Sequence, residues 1–128
     1  MNLVDSCGWL EYFADGPDAA FFAPPLEHTA DLLVPSICVL EVFKRVLTER
    51  GEGPALQAAA AMQQGLIADL DLPTALAAAG IGNSFGLPLA DSVILATARR
   101  YKAVIWTQDS HFKNIQGVKY REKTRKKK

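Results

Sequence analysis

The chain has 128 residues, of which 49% are hydrophobic and 22% are charged, and its formal net charge is zero. This length is typical of one domain of ~100–200 residues, and the hydrophobic fraction excludes an intrinsically disordered chain. The apolar runs are too short for a membrane span of ~18–20 residues. The first residues do not have the basic region followed by a long apolar region that is typical of a secretory signal, so none is expected. The two cysteines are too few for a disulfide scaffold, so we expect one folded domain in the cytoplasm.

The charges are distributed unevenly along the chain. Residues 119–128 contain seven lysines and arginines and one glutamate, whereas the preceding residues contain seven basic and thirteen acidic side chains. A basic segment attracts the phosphates of a nucleic acid, and a solvated terminus without a function is the alternative. We expect a folded domain over residues 1–120 and a basic tail over residues 121–128.

Short apolar runs alternate with segments of helical periodicity along the whole chain. The apolar runs predict strands in residues 2–4, 31–34, 66–72, 103–106 and 118–120. The periodic segments predict helices in residues 6–13, 36–50, 55–66, 73–80 and 89–100, with a loop over GIGNSFG at 80–86. Ser36 is expected to cap its helix and Gly51 to end it. Strands that alternate with helices indicate an α/β class with a parallel sheet covered on both faces.

Three acidic residues lie where predicted elements end or begin. Asp5 ends the first strand, Asp109 follows a later strand, and Asp91 lies in the first turn of the helix that Pro88 opens. Ligands of open α/β sheets bind beyond the carboxyl ends of the strands. The dipole of a helix also stabilises an anion at the helix N-terminus. We therefore expect the three carboxylates to face one crevice.

Glu41 is the fourth acidic residue of interest. It lies four residues after Ile37 and is expected to share an apolar helix stripe with Ile37, Leu40 and Leu47. A carboxylate on such a stripe is costly unless a cation or hydrogen bonds compensate it, and no basic side chain is obviously placed to do so. Four carboxylates in one crevice would repel one another, and a divalent cation such as Mg²⁺ would relieve that repulsion.

A hard divalent cation on clustered carboxylates indicates metal-assisted hydrolysis of a phosphodiester. Each acid also has a purely structural interpretation. Asp5 and Asp109 can cap helical turns, Asp91 can complement a helix dipole, and Glu41 can face solvent. The position of all four at one edge of the predicted sheet favours the metal site.

Four segments resemble PIN-domain proteins, in particular the VapC-type toxins of bacterial and archaeal toxin–antitoxin pairs. In the family's order they are LVDSCGWLEYF (3–13), PSICVLEVFKRVL (35–47), GLPLADSVILATARR (86–100) and VIWTQDSHF (104–112). The pieces PLADSVILATA and TQDSHF, at their observed separation, are the most specific part of the resemblance. One departure is Ser92, where many members of the family have alanine.

The resemblance implies a three-layer α/β/α sandwich and an endoribonuclease activity that depends on Mg²⁺ or Mn²⁺. The acidic quartet of the family falls on Asp5, Glu41, Asp91 and Asp109. Asp5 and Asp91 resemble the main metal ligands, and the other two acids match positions that bind a second ion or the ligand waters.

The resemblance also implies supporting residues and partners. Ser6 and Thr107 match hydroxyl positions that orient carboxylates or waters. The substrate would be RNA, and the chain would form a homodimer that is held inactive by a cognate antitoxin. The C-terminal segment of that antitoxin would occupy the active-site groove.

Other side chains have more than one interpretation. The aromatic residues in 6–13 can stack on RNA bases, although such clusters more often pack a helix on a sheet. His111 follows Asp109 closely and is better placed than His28 for a proton shuttle, but a surface histidine without such a role is the commoner case. Cys7 has no His or Asn partner within sequence reach, so a nucleophilic role is not expected.

Two further classes of function compete with the nuclease. A receiver domain has a similar length and an acid-bound Mg²⁺, with Asp69 or Asp71 as the acceptor. However, the chain lacks both the adjacent acidic pair after the first strand and the Lys-Pro that such domains carry. The alternative on the same fold is a non-catalytic RNA- or protein-binding module, which would be expected to lack one of the acids.

Overall fold

The computed structural model describes residues 1–125 and has a five-stranded sheet at its centre, in which all neighbouring strands are parallel. The strands are β1 (Asn2–Val4), β2 (Leu32–Pro35), β3 (Leu66–Ala68), β4 (Val104–Thr107) and β5 (Val118–Tyr120). Their order across the sheet is β3-β2-β1-β4-β5. The first strand of the chain is therefore the central strand of the sheet.

Six α-helices of the described chain flank this sheet. They are α1 (Ser6–Phe13), α2 (Ala19–Glu27), α3 (Ser36–Arg50), α4 (Glu52–Met62), α5 (Leu72–Phe85) and α6 (Leu89–Tyr101). The chain moves outward from β1 to β3 and returns through α5 and α6 to β4, and the helical connections between parallel strands cover both faces of the sheet. The predicted three-layer α/β/α sandwich is confirmed. Within residues 1–125, every helix is too short or too polar to cross a membrane.

The three central strands are buried on both faces. Leu3 and Val4 of β1, Leu33 of β2 and Ile105 of β4 have no exposed surface. Parallel strands that are covered by helices on both faces do not show the alternation of polar and apolar residues that is typical of half-buried strands. This explains why the apolar runs of the sequence located these strands correctly.

Helix α1 packs closely against its neighbours at Gly8. A Cβ atom at this position would lie 2.6 Å from side-chain atoms of both Val4 and Phe22, which are fully buried. Any side chain larger than a hydrogen would therefore push α1 away from β1 and α2. The short connection from Asp5 into α1 depends on this contact.

Two helices differ from the sequence-based expectation. Helix α2 was not predicted, and it contains Pro24 and Pro25, residues that disfavour a helix interior. The segment 80–86 is not a loop, because α5 continues to Phe85 and ends at Gly86, whose φ is 66°. Tertiary packing explains the longer helix, since a Cβ at Gly82 would lie 2.7 Å from Ser92 Oγ of α6.

Some predicted boundaries were also wrong. Helix α4 begins at Glu52 instead of residue 55, and β3 ends at Ala68 instead of residue 72. Ser36 is the first residue of α3 and not its cap, because Pro35 occupies the N-cap position without a side-chain hydrogen bond. Gly51 ends α3 as expected, with its N–H donating to the Leu47 carbonyl at 3.1 Å.

The start of the predicted basic tail is bound to the domain by hydrogen bonds. The Asp18 side chain is fully buried and accepts hydrogen bonds from Arg121 Nε at 2.9 Å, Thr124 N at 2.8 Å and Thr124 Oγ1 at 2.6 Å. These bonds attach residues 121–124 beside the start of α2, and we call this contact the Asp18 latch. The rest of the predicted tail, at 126–128, lies outside the described residues.

Candidate metal centre

Asp5 is held at the carboxyl end of the central strand. Its Oδ1 accepts a hydrogen bond from the backbone N of Ser6 at 2.8 Å, and its Oδ2 accepts one from Thr107 Oγ1 at 2.8 Å. It is also the N-cap residue of α1, and only 4% of its surface is exposed. The capping role expected of an isolated aspartate therefore coexists with a fixed, buried carboxylate.

Thr107 connects two of the predicted acids. Its hydroxyl donates to Asp5 and accepts a hydrogen bond from the backbone N of Asp109 at 2.9 Å. Thr107 is the last residue of β4 and is fully buried. Thr107 therefore holds the Asp5 carboxylate and the backbone of Asp109 in a fixed relation to each other.

Asp91, Asp109 and His111 form the tightest group of potential metal ligands. His111 Nδ1 lies 2.9 Å from Asp91 Oδ2 and 3.0 Å from Asp109 Oδ1. Among the described residues, these three form the group whose ligand atoms all lie within 4.8 Å of one another. The negative charge of Asp109 raises the pKa of His111, so the imidazolium form is favoured beside the two acids. The resemblance implied that Asp91 and Asp5 are the main metal ligands, whereas the structure groups Asp91 with Asp109 and His111.

Glu41 reaches the groove from α3, but not from the stripe predicted for it. The buried face of α3 is formed by Cys38, Val42 and Val46, while Leu40 is 62% exposed. Glu41 is half-buried at the edge of that face, and its Oε1 accepts a hydrogen bond from Ser6 Oγ at 2.6 Å. The stripe was misplaced because the short apolar side chains of α3 occur on more than one face.

The four predicted acids line one groove. Its walls also carry Ser6 and two basic residues of α3, Lys44 and Arg45. The acids reach it from the end of β1, from α3, from the first turn of α6 and from the segment after β4. The fold thus brings together side chains that are separated by up to about a hundred residues of chain.

The carboxylates in this groove are electrostatically unfavourable in the absence of a cation. Burial, followed by the charges of Asp109 and Asp5, raises the pKa of Asp91 to about 7. Burial is also the main cause that raises the pKa of Asp5, against the hydrogen bond from Thr107. The pKa of Glu41 is raised by burial and by the charge of Asp5.

The donor set fits a hard divalent cation. Carboxylate oxygens are the ligands that Mg²⁺ and Mn²⁺ prefer, and a cation would offset the repulsion that raises these pKa values. In the protein alone, the imidazole of His111 is the positive partner of Asp91 and Asp109. The residues that could hold a cation are Asp91, Asp109 and His111, with Asp5 and Glu41 further along the groove.

Cys7 lies beside the acids but is not activated. Its Sγ is 3.5 Å from both Asp5 Oδ2 and Thr107 Oγ1. Burial, together with the charge of Asp5, raises the pKa of the Cys7 thiol to about 12. The thiol therefore stays protonated at neutral pH, which agrees with the expectation that it is not a nucleophile.

The aromatic residues of α1 pack against the core. Trp9 is only 3% exposed, and its ring lies 5.6 Å from that of Phe13. Tyr12 and Phe13 are partly buried against the same core. The packing interpretation of these side chains is favoured over base stacking.

The contact between His111 and Asp91 was missed by the sequence analysis. The two residues are twenty positions apart, on different elements, and no periodicity relates them. Only the proximity of His111 to Asp109 in sequence indicated a place near the site. Their juxtaposition depends on how α6 packs beside the end of β4.

The sequence matches the PIN domain family over residues 3–118. The chain belongs to the PIN domain family. The match covers β2, β3 and β4 in full, most of β1 and the first residue of β5, and it includes every predicted site residue. The family predicted from the sequence is confirmed.

Solved structures show the same PIN architecture. A chain from a toxin–antitoxin complex of Klebsiella pneumoniae superposes with a TM-score of 0.78 and 21% identity, covering 92% of this chain and 95% of that one. A chain of VapBC2 from Rickettsia felis, bound to a promoter DNA fragment, gives 0.67 and 13%, covering 94% and 96%. FitAcB from Neisseria gonorrhoeae gives 0.57 and 26%, covering 87% and 89%. The comparison with curated proteins finds no match.

The receiver-domain alternative does not agree with these findings. Asp71, one of its two possible acceptors, caps α5 by accepting a hydrogen bond from Thr74 N at 2.9 Å. The same carboxylate pairs with Arg100 at 2.7 Å. Asp71 thus stabilises the start of α5, and the PIN family assignment replaces the receiver class.

Proposed function

We propose that this PIN domain is a divalent-metal-dependent endoribonuclease that acts as the toxin of a toxin–antitoxin pair. The observation that carries the proposal is the groove in which Asp5, Glu41, Asp91 and Asp109 meet. Burial and mutual charge raise the pKa of three of these acids, which is the electrostatic condition under which a cation binds most favourably. Membership of the PIN domain family supports the nuclease class.

The acids have separate roles in this proposal. Asp91 and Asp109 hold the cation, and Asp5 and Glu41 complete its surroundings or hold a second cation. Thr107 and Ser6 fix the carboxylates of Asp5 and Glu41 through their hydroxyl groups. When bound, the cation supplies positive charge that stabilises a phosphodiester under attack by water.

The rim of the groove supplies contacts for the substrate. Lys44 and Arg45 are exposed and line the groove one turn after Glu41. Phosphate contacts of this kind position a nucleic acid without reading its sequence. We propose that they hold the RNA backbone across the acids, so that a single phosphodiester lies over the cation.

The partners in this proposal are an antitoxin and a second copy of the chain. Structures with related folds include a toxin–antitoxin complex and VapBC2 bound to promoter DNA, which supports a toxin role. Four leucines, exposed by between 62% and 84%, offer apolar surface for such partners: Leu40, Leu72, Leu76 and Leu89. We expect the chain without its antitoxin to be a homodimer in light scattering, and a monomer would contradict that part of the proposal.

The activity is tested with the purified full chain, freed of any antitoxin, and end-labelled RNA. We expect cleavage with Mg²⁺ or Mn²⁺ and none with EDTA. Asp5→Asn and Asp91→Asn should each reduce the rate by at least about 100-fold, since each removes a charge that surrounds the cation. Asp69→Asn is the matched control, because Asp69 is exposed outside the groove.

One outcome would favour the non-catalytic alternative. If the wild-type chain bound the RNA but never cleaved it with either metal, the groove would belong to a binding module. Equal cleavage by the wild type, Asp5→Asn and Asp91→Asn would instead indicate a contaminating nuclease.

A further inference from the structure

We propose that His111 is a direct ligand of the divalent cation through Nδ1, and that it forms one face of the coordination sphere with Asp91 and Asp109. This inference rests on the proposed function, because it concerns the same groove. It adds a nitrogen ligand to a site that the acidic quartet alone would make entirely of oxygen.

The two distances from His111 to the acids match the spacing of ligands around one ion. An octahedral ion with ligands at about 2.1 Å places neighbouring ligand atoms about 3.0 Å apart. His111 Nδ1 lies 2.9 Å from Asp91 Oδ2 and 3.0 Å from Asp109 Oδ1. Both distances from Nδ1 therefore match the spacing of adjacent ligands around one ion, and the ligand atoms of all three residues lie within 4.8 Å of one another. An ion bound here would take the place of the Nδ1 proton.

The backbone fixes the position of His111. It lies in a short 3-10 turn, Ser110–Phe112, whose last side chain is fully buried. The backbone N of His111 also donates to Asp109 Oδ1 at 2.9 Å. Because Phe112 anchors the turn and Asp109 caps it, the backbone of His111 is held beside the carboxylates, within reach of its imidazole.

A nitrogen ligand changes which metals the site prefers. Imidazole binds Mg²⁺ less well than it binds transition metals, whereas carboxylates bind both classes. A site of two carboxylates and one imidazole is therefore expected to favour Mn²⁺ or Co²⁺ over Mg²⁺. Substitution of His111 should therefore reduce the difference in affinity between these transition metals and Mg²⁺.

The two histidines of the chain make a direct spectroscopic test possible. The full-length chain is loaded with Mn²⁺, and electron spin echo envelope modulation detects ¹⁴N nuclei coordinated to the ion. We expect a directly bound imidazole signal in the wild type, its loss in His111→Ala and His111→Gln, and its retention in His28→Ala. His28 is exposed at the end of α2 and is the matched control.

Metal affinities provide the second measurement. His111→Ala should weaken Mn²⁺ binding by at least about tenfold, as losses around metal sites do. Mg²⁺ binding, measured by calorimetry, should weaken by less than about threefold. His28→Ala should leave both affinities unchanged, and thermal melts of each variant show whether the fold is intact.

The outcomes separate this inference from the proposed function. If the wild type bound Mn²⁺ without a ¹⁴N signal, and Asp91→Asn abolished binding while His111→Ala did not, His111 would not be a ligand and the acidic centre would stand. If the wild type bound no Mn²⁺, both the inference and the proposed metal centre would be wrong.

Discussion

At the scale of single residues, the Thr107 hydroxyl has the widest influence on the site. It is fully buried and connects the Asp5 carboxylate to the backbone N of Asp109. A valine at this position has a similar shape but removes both hydrogen bonds, which leaves the backbone N of Asp109 without this partner and Asp5 with its bond from Ser6. One unsatisfied buried group costs about 1–3 kcal/mol, which is more than the loss of one exposed hydrogen bond.

We therefore expect Thr107→Val to lower the free energy of unfolding by about 1–3 kcal/mol and the RNA cleavage rate by about 10–100-fold. Urea denaturation and single-turnover cleavage measure the two effects. Thr107→Ser keeps the hydroxyl and should retain most of the activity. A valine variant as active as the serine variant would show that Thr107 does not position the acids.

The raised pKa of Asp91 predicts how the metal-free protein responds to pH. The folded carboxyl has a pKa of about 7, whereas an unfolded aspartate has one of about 3.9. Between these values the folded chain keeps a proton that the unfolded chain releases, so this contribution to stability is lost as the pH rises from about 4 to about 7. A divalent cation bound to the carboxylates should restore the stability that is lost at the higher pH.

Asp91→Asn should remove this pH dependence. In EDTA at pH 7.5, we expect it to raise the Tm by about 3–5 °C, since it removes one of several repelling charges. Thermal melts between pH 4 and 8 measure the effect, and Asp69→Asn is the control outside the groove. A variant that melts below the wild type at pH 7.5 would show that the carboxylate is stabilised without a metal.

At the scale of elements, the position of α1 depends on a glycine. Gly8 contacts Val4 and Phe22 where a Cβ atom would be only 2.6 Å from each. We expect Gly8→Ala to destabilise the protein by about 1–3 kcal/mol and to disturb Asp5, which caps the same helix. Chemical denaturation and metal binding measure the two consequences.

Gly80 provides a control of opposite sign for this prediction. It lies in α5, and a Cβ atom there would have no neighbour within 4 Å. Gly80→Ala should therefore stabilise the protein by about 0.5–1 kcal/mol, because alanine is the better helix former. If both substitutions changed stability in the same direction, close packing at Gly8 would not be the cause of its effect.

The elements differ in how well the sequence predicts them. Buried parallel strands are continuous apolar runs, so β1, β2 and β4 were located to within about a residue. The prolines of α2 and the glycines in 80–86 are poor helix formers by local propensity. Both segments are helical because they pack against other elements, and that information is absent from their own residues.

At the scale of the whole molecule, the candidate site could be predicted in composition but not in geometry. Asp5, Asp91 and Asp109 adjoin element boundaries that the sequence reveals, and Glu41 was singled out by its spacing within α3, so the sequence named all four acids that line the groove. Their distances depend on the packing of α3 and α6 against the sheet, which explains why Glu41 was placed on the wrong stripe and why the His111–Asp91 contact was missed.

The Asp18 latch joins the start of α2 to residues 121–124, near the end of the described chain. Burial raises the pKa of Asp18, but the hydrogen bonds from Thr124 and Arg121 outweigh this effect and lower it below the usual value. Asp18→Asn should therefore destabilise the protein by about 1–3 kcal/mol at pH 7, and the difference should shrink as the pH falls below about 4.

Chemical denaturation at pH 7 and pH 3.5 measures this effect. Asp15→Asn is the control, because Asp15 is exposed and has a φ of 50°, a conformation that asparagine also adopts. Equal stability of Asp18→Asn and the wild type at pH 7 would show that residues 121–124 contribute little to the folded domain.

The central position of β1 determines at what stage of protein synthesis the site can form. Asp5 is made about a hundred residues before Asp109, which follows a strand that pairs with β1. A nascent polypeptide that ends before β4 has neither Thr107 nor Asp109, so its Asp5 lacks the partners that orient it. The groove is therefore completed only after β4 and the segment that follows it have been made, and a shorter nascent chain lacks an intact site.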